Sequence, residues 1–170
     1  MTIEPSSTTP AVELRFEVIP ADRAAVRSIL ESTVVFAPAE IEVAIELVDE
    51  RLSKGAASTY EFIFATLGDT AIGYACYGPI PLTIARYDLY WIAVDTGHQG
   101  RHVARRLLQE SERRIAQSGG EAIYIETSSR PCYEPARSFY LRSGYQLAAE
   151  LPHFYAPGDH KLIYVKRLVP

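Results

Sequence analysis

The run YDLYWIAV, residues 87–94, constrains this chain more than any other stretch. An extended segment sends alternate side chains to opposite faces, and here both faces are apolar. Such a strand must be covered from both sides, so it belongs in the middle of a sheet flanked by helices. The neighbouring segments supply that setting. TYEFIFATL and AIGYACYG read as two strands joined by a Gly68-Asp69 turn, a hairpin leading into the central strand. After DTGHQG comes a helix with Val103, Leu107, Leu108 and Ile115 inward, stopped by SGG. AIYIET reads as a second buried strand, and PARSFYLRS as a short helix closed by Gly144.

On the N-terminal side, VELRFEVI alternates with Leu14, Phe16 and Val18 on one side, a first strand. Pro20 opens a helix with Asp22 in its first turn, where a carboxylate suits the dipole. A second helix has Pro38 near its start, Ile41, Ile45, Val48 and Leu52 as its stripe, and Lys54-Gly55 at its end. YQLAAEL and KLIYVKRL read as the last two strands, with PHFYAPGDH between them. The expected order is β-αα-βββ-α-β-α-ββ. That is a mixed α/β fold with a twisted, mostly antiparallel sheet flanked by helices.

With 170 residues, one domain over 12–170 is expected, preceded by a polar tail at 1–11. The tail has neither a basic nor an apolar segment of the signal-peptide kind, and no apolar run reaches membrane-spanning length. A net charge of −4 offers no basic face for nucleic acid. Cys76 and Cys132 form no CxxC pair and fit a reducing, cytoplasmic setting.

HQGRHVARRLL, residues 98–108, admits two readings. His98 and His102 are four apart, the spacing of a zinc helix, but Gln99 stands where such enzymes carry their Glu, and no third ligand is near. No metal is therefore expected. The other reading is a phosphate site. A buried strand ends at Val94 and a helix starts near Gly100, whose free N–H groups attract anions, with Arg101 and Arg105 able to add charge-assisted bonds.

QGRHVARRLL after DLYWIAVD resembles the acetyl-CoA-binding motif of the GCN5-related N-acetyltransferases (GNAT), a Gln or Arg, two residues, Gly, one residue, Gly or Ala. Gln99 and Ala104 match, Val103 fills the spacer, and His102 stands where the family prefers Gly. A His there is expected to take helical φ and ψ and keep its N–H toward phosphate. PARSFYLRSGY resembles the family's closing helix through Ala136, Phe139, Tyr140, Gly144 and Tyr145. Tyr133 replaces the family's usual Asn. The resemblance covers roughly residues 12–168.

It implies an acetyl-CoA-dependent transfer of acetyl to a primary amine in a ternary complex. Pantetheine and thioester would lie by Ile92, Ala93 and Val94, and the pyrophosphate on the N–H groups of Gln99, Gly100, Arg101, His102, Val103 and Ala104. Tyr140 matches the family's general acid; packing of a half-buried ring is its plain structural alternative. For the base, Asp88 on the central strand matches a Glu of the lysine-acetylating branch, and Glu126 is its rival; either could be a structural ion pair. Phe154 and Tyr155 would project near the acceptor, and Asp159 would cap its turn or bind an amine. An aminoglycoside acceptor favours an acidic cleft, and no local acidic cluster stands out. The expected acceptor is an amine-bearing small molecule or peptide, and the chain a monomer or homodimer. The alternative is an acetyl-CoA-binding sensor that has lost activity.

Overall fold

The computed structural model describes residues 11–168; of the tail expected at 1–11, all but residue 11 lies outside the described residues. Strand β1 (Glu13–Arg15) is followed by helices α1 (Asp22–Thr33) and α2 (Pro38–Lys54). Strands β2 (Glu61–Leu67), β3 (Thr70–Pro79) and β4 (Arg86–Val94) follow, then α3 (Val103–Gln117), β5 (Ala122–Ser128), α4 (Glu134–Arg142), β6 (Gln146–Ala156) and β7 (Asp159–Arg167). The seven strands form one sheet in the order β1-β2-β3-β4-β5-β7-β6. Only β4 and β5 run parallel. The architecture is the mixed, mostly antiparallel α/β fold that the periodicities predict.

The sheet separates two cores. On one face α1 and α2 set Val26, Ile29, Leu30, Ile41, Ile45 and Val48 against Phe62, Phe64 and Tyr74. On the other, α3 and α4 set Val103, Leu107, Leu108, Ile115 and Tyr140 against Ile63, Ile72, Leu89 and Ile123. Burying one such side chain contributes about 1.5–3 kcal/mol, so these two layers fix where both helix pairs lie.

Two strands differ from their sequence reading. β1 stops at Arg15 because that guanidinium clamps Asp22 through bonds of 2.6 and 3.0 Å and draws the chain into α1. Asp22 also accepts the Ile19 N–H at 2.8 Å, so its carboxylate ties the helix entry as well as suiting the dipole. Phe16 is left outside the strand, beneath the Arg114 guanidinium. β6 instead runs on to Ala156, through most of the segment expected to connect the last two strands. Leu151 pairs with Lys161 and Ala156 with Asp159, so residues 152–155 bulge opposite His160 alone. Pro152, which has no N–H to give a ladder, fits that bulge. Pro157-Gly158 makes the turn, with Gly158 at φ 84° and its N–H bonded to His153 Nδ1 at 2.8 Å.

Candidate active site

β4 and β5 pair only between Arg86–Asp88 and Ala122–Tyr124. Beyond Asp88 they diverge, so the β5-facing edge of residues 89–94 has no strand partner in the middle of the sheet. Backbone polar groups left so need another partner. β4 also carries a bulge: Cys76 faces Trp91 and Tyr77 faces Leu89, leaving Tyr90 unmatched. Tyr90 and Trp91 therefore both pack on the α1–α2 side, while Leu89 and Ile92 belong to the α3–α4 side.

The divergence opens a cleft of about 1780 Å³, and the site residues nominated from the sequence line it except Arg101 and Phe154. Arg101 is exposed beside it. At one end lies the β4–α3 corner. α3 begins at Val103, three residues later than expected. Its first turn leaves the N–H groups of residues 103–105 ahead of the first helical bond, which Arg106 donates to the His102 carbonyl.

His102 corrects the expectation made for it. Its φ is 60° and ψ 12°, the left-handed region, not the right-handed helix. A Cβ there costs roughly 1–2 kcal/mol. That accounts physically for glycine at the matching family position. Gly100 likewise has φ 75°, and a Cβ built on it meets nothing within 4 Å, an open cradle beside the free N–H groups. The Gln99 side chain donates to the Val94 carbonyl at 3.2 Å and pins the corner to the end of β4.

The two histidines do not share a helical face. His98 lies in a short 3₁₀ turn with Nδ1 3.0 Å from Asp95 Oδ1, and His102 precedes the helix. Among the described residues no group of three or more His, Cys, Asp or Glu is arranged to hold a metal ion.

At the other end, Asp88 and Glu126 come together on the α1–α2 face. Burial first, and then the Glu126 charge, push the Asp88 carboxyl up to about 6, against a lowering pull from Lys161. Glu126 is half-exposed and ion-paired to Lys161 at 2.5 Å. Asp88 has no such partner among the described residues. Tyr140 approaches from the opposite face. It is buried, ringed by Phe139, Tyr145 and Tyr164, and burial raises its phenol well above the ordinary value.

Other lining residues carry no sequence signal. Phe36 and Glu40 reach the cleft from the α1–α2 connection, and the Tyr133 hydroxyl donates to Glu40 Oε1 at 3.2 Å across 93 positions. Glu40 Oε2 also accepts the Ala37 N–H at 2.7 Å, so the carboxylate is fixed. Asp159 does not cap its own turn. It accepts from Ser128 Oγ at 2.5 Å and faces Arg130 at 3.4 Å. Tyr155 lines the cleft from the β6 bulge; Phe154 lies over Lys161. The acidic grouping missing from the local sequence is thus assembled by the fold from α2, β4, β5 and β7.

One cleft thus combines a parted central strand pair, a helix start with N–H groups ahead of its first helical bond, and titratable groups on both faces. The Acetyltransferase (GNAT) family matches residues 27–145, and the chain belongs to that family. It is similar to a Desulfovibrio desulfuricans protein assigned to the GNAT acetyltransferases, at 46% identity over 94% of this chain and 100% of that one, with a TM-score of 0.91. A protein from Salmonella typhimurium solved with its cofactor acetyl-CoA shares the fold at 17% identity, covering 94% of this chain and 95% of the other, TM-score 0.71. An uncharacterized protein of Mycobacterium leprae (strain TN) is 34% identical over 95 residues, 55% of this chain. The chain spans 25% of the length of that relative. No helix among the described residues is long and apolar enough to cross a membrane.

Proposed function

We propose that this acetyltransferase moves an acetyl group from acetyl-CoA to a primary amine within a ternary complex, without an acetylated enzyme. The observation that carries the reading is the unpaired β4 edge at residues 89–94, flanked by Asp88 on one face and Tyr140 on the other. Acetyl-CoA, when bound, supplies the acetyl group activated as a thioester.

The chain's own groups divide the remaining work. The β4 edge would pair with the pantetheine amides as a strand would, and the N–H groups at the start of α3 would take the pyrophosphate. Asp88, ionised above about pH 6, would take the proton from the incoming ammonium, directly or through one water. Freeing an amine of pKa about 10.4 at pH 7 costs roughly 4.6 kcal/mol, which a base supplied in place offsets. The C–N bond forms as the C–S bond breaks. Tyr140 would then donate its proton to the departing sulfur. Its raised pKa keeps it protonated but makes donation more uphill than from a free phenol, so the sulfur must be held in the same dry surroundings, where a thiolate is disfavoured too.

Asp88 is the better base because Glu126 is engaged with Lys161. The reading belongs to a chain able to occupy the cytoplasm and needs no metal. Initial rates measured at several fixed amine concentrations, with mass detection of the acetylated amine, test it. Intersecting double-reciprocal lines and an N-acetyl product are expected. Parallel lines would contradict direct transfer, and acetyl-CoA binding with no amine acetylated would favour the sensor.

A further inference from the structure

The acceptor half of the cleft has an aromatic wall on the same side of the sheet as Asp88. Because of the β4 bulge, Trp91 turns toward the α1–α2 connection, where its ring meets Phe36 with centroids 5.3 Å apart. Phe36 in turn meets Tyr133 edge-on at 6.1 Å. Trp91 and Phe36 are only partly buried, and both line the cleft. The Tyr133 hydroxyl is committed to Glu40, so this residue offers the cleft its ring. Three adjoining rings, inclined at 59° and 78° to one another, make an angled apolar surface that gains by being covered and can take a further ring face-on or edge-on.

The charges narrow the occupant further. Four carboxylates border this half, but two already have cations: Glu126 holds Lys161, and Asp159 faces Arg130. Asp88 and Glu40 have no ion-pair partner among the described residues, but Glu40 already accepts the Tyr133 hydroxyl on one oxygen and the Ala37 N–H on the other, so Asp88 is the carboxylate left to meet a cation. Arg130, stacked over the Tyr133 ring at 5.2 Å, and Lys161 flank the space and repel additional positive charge. The cleft thus offers a place for one ammonium beside Asp88 and an aromatic body beside it. It is ill matched to a molecule with several ammonium groups.

We infer that the acceptor is a monocationic primary amine carried on an aromatic body, an arylalkylamine, whose ring packs into the angled Trp91–Phe36–Tyr133 wall while its ammonium faces Asp88. This rests on the amine-transfer reading above. It would set the chain's preference apart from polycationic acceptors, such as aminoglycosides and polyamines, and from peptide N-termini.

The test is kcat/KM for 2-phenylethylamine, tryptamine, n-butylamine, spermidine, kanamycin and an alanyl peptide, with acetyl-CoA affinity measured separately by calorimetry. The aryl amines are expected to exceed n-butylamine at least about tenfold, the scale on which an apolar pocket discriminates. Trp91→Leu or Phe36→Leu should pull that aryl-to-alkyl ratio toward one, mainly through KM. Trp91→Phe, which restores a ring, should keep most of it and guards against a misfolded leucine variant. A wild-type ratio near one, a preference for spermidine, kanamycin or the peptide, or a ratio unmoved by both leucine variants would overturn the assignment and leave amine transfer standing. Acetyl-CoA binding with no amine acetylated would overturn both.

Discussion

Asp88 has opposing demands on it. Burial and the nearby Glu126 hold its carboxyl at about 6, so the ionised form that a base requires is the form the fold disfavours. The folded value lies above the unfolded one near 3.9. Stability is therefore lost as pH rises from about 4 to about 6, where the unfolded carboxyl has ionised and the folded one has not; the cost is complete above about 6 and vanishes below about 4, where both states bind the proton. Asp88→Asn is expected to melt higher than wild type at pH 8 and level with it at pH 4 in thermal scans. The same variant should lose about 10²–10⁴-fold in rate at neutral pH and recover as pH approaches the amine pKa. Wild-type activity should fall as pH drops through about 6. If Glu126→Gln shows this pattern and Asp88→Asn does not, Glu126 is the base. The candidacy of both carboxylates was readable from their strand positions. The choice between them was not, because the Lys161 partner that distinguishes Glu126 comes from a strand added much later in the chain.

At the scale of elements, the β4–α3 corner shows what periodicity reveals and what it hides. An apolar strand, a glycine-bearing turn and an amphipathic helix were all legible, because local patterning alone decides them. The left-handed backbone at His102 was not legible, since histidine gives no sign of positive φ. Nor was the length of β1 or β6: one is cut short by the Arg15–Asp22 clamp, the other extended by a bulge opposite His160, and both are tertiary events. At this corner Gly100, like His102, has a left-handed backbone that a β-branched residue resists, at φ 75°. Gly100→Val is expected to weaken CoA binding at least tenfold by calorimetry while α3 stays folded, because the Cβ meets no neighbour and the strain falls on the loop alone. Equal affinity in the two proteins would move the pyrophosphate away from this helix start.

Across the whole molecule, the sheet keeps the two proton-handling groups apart. Tyr140 comes from the α3–α4 face and Asp88 from the α1–α2 face, and the gap between β4 and β5 is where the two faces communicate. In the proposed mechanism, transfer through that gap would let one group deliver a proton to sulfur while the other removes one from nitrogen. The element order was legible, as was the corner between β4 and α3, because each is contiguous in sequence. The acceptor side was not, because Phe36, Glu40, Trp91 and Tyr133 are brought together only by the folded sheet and its bulge. The central claim is that these two faces carry an acid and a base, and Tyr140→Phe tests it most directly. The variant keeps the ring and its contacts with Tyr145 and Tyr164 and removes only the hydroxyl, to which no described residue is hydrogen-bonded. With chemistry limiting turnover, kcat is expected to fall about 10²–10⁴-fold while CoA affinity and melting temperature hold. A wild-type kcat under those conditions would contradict the account.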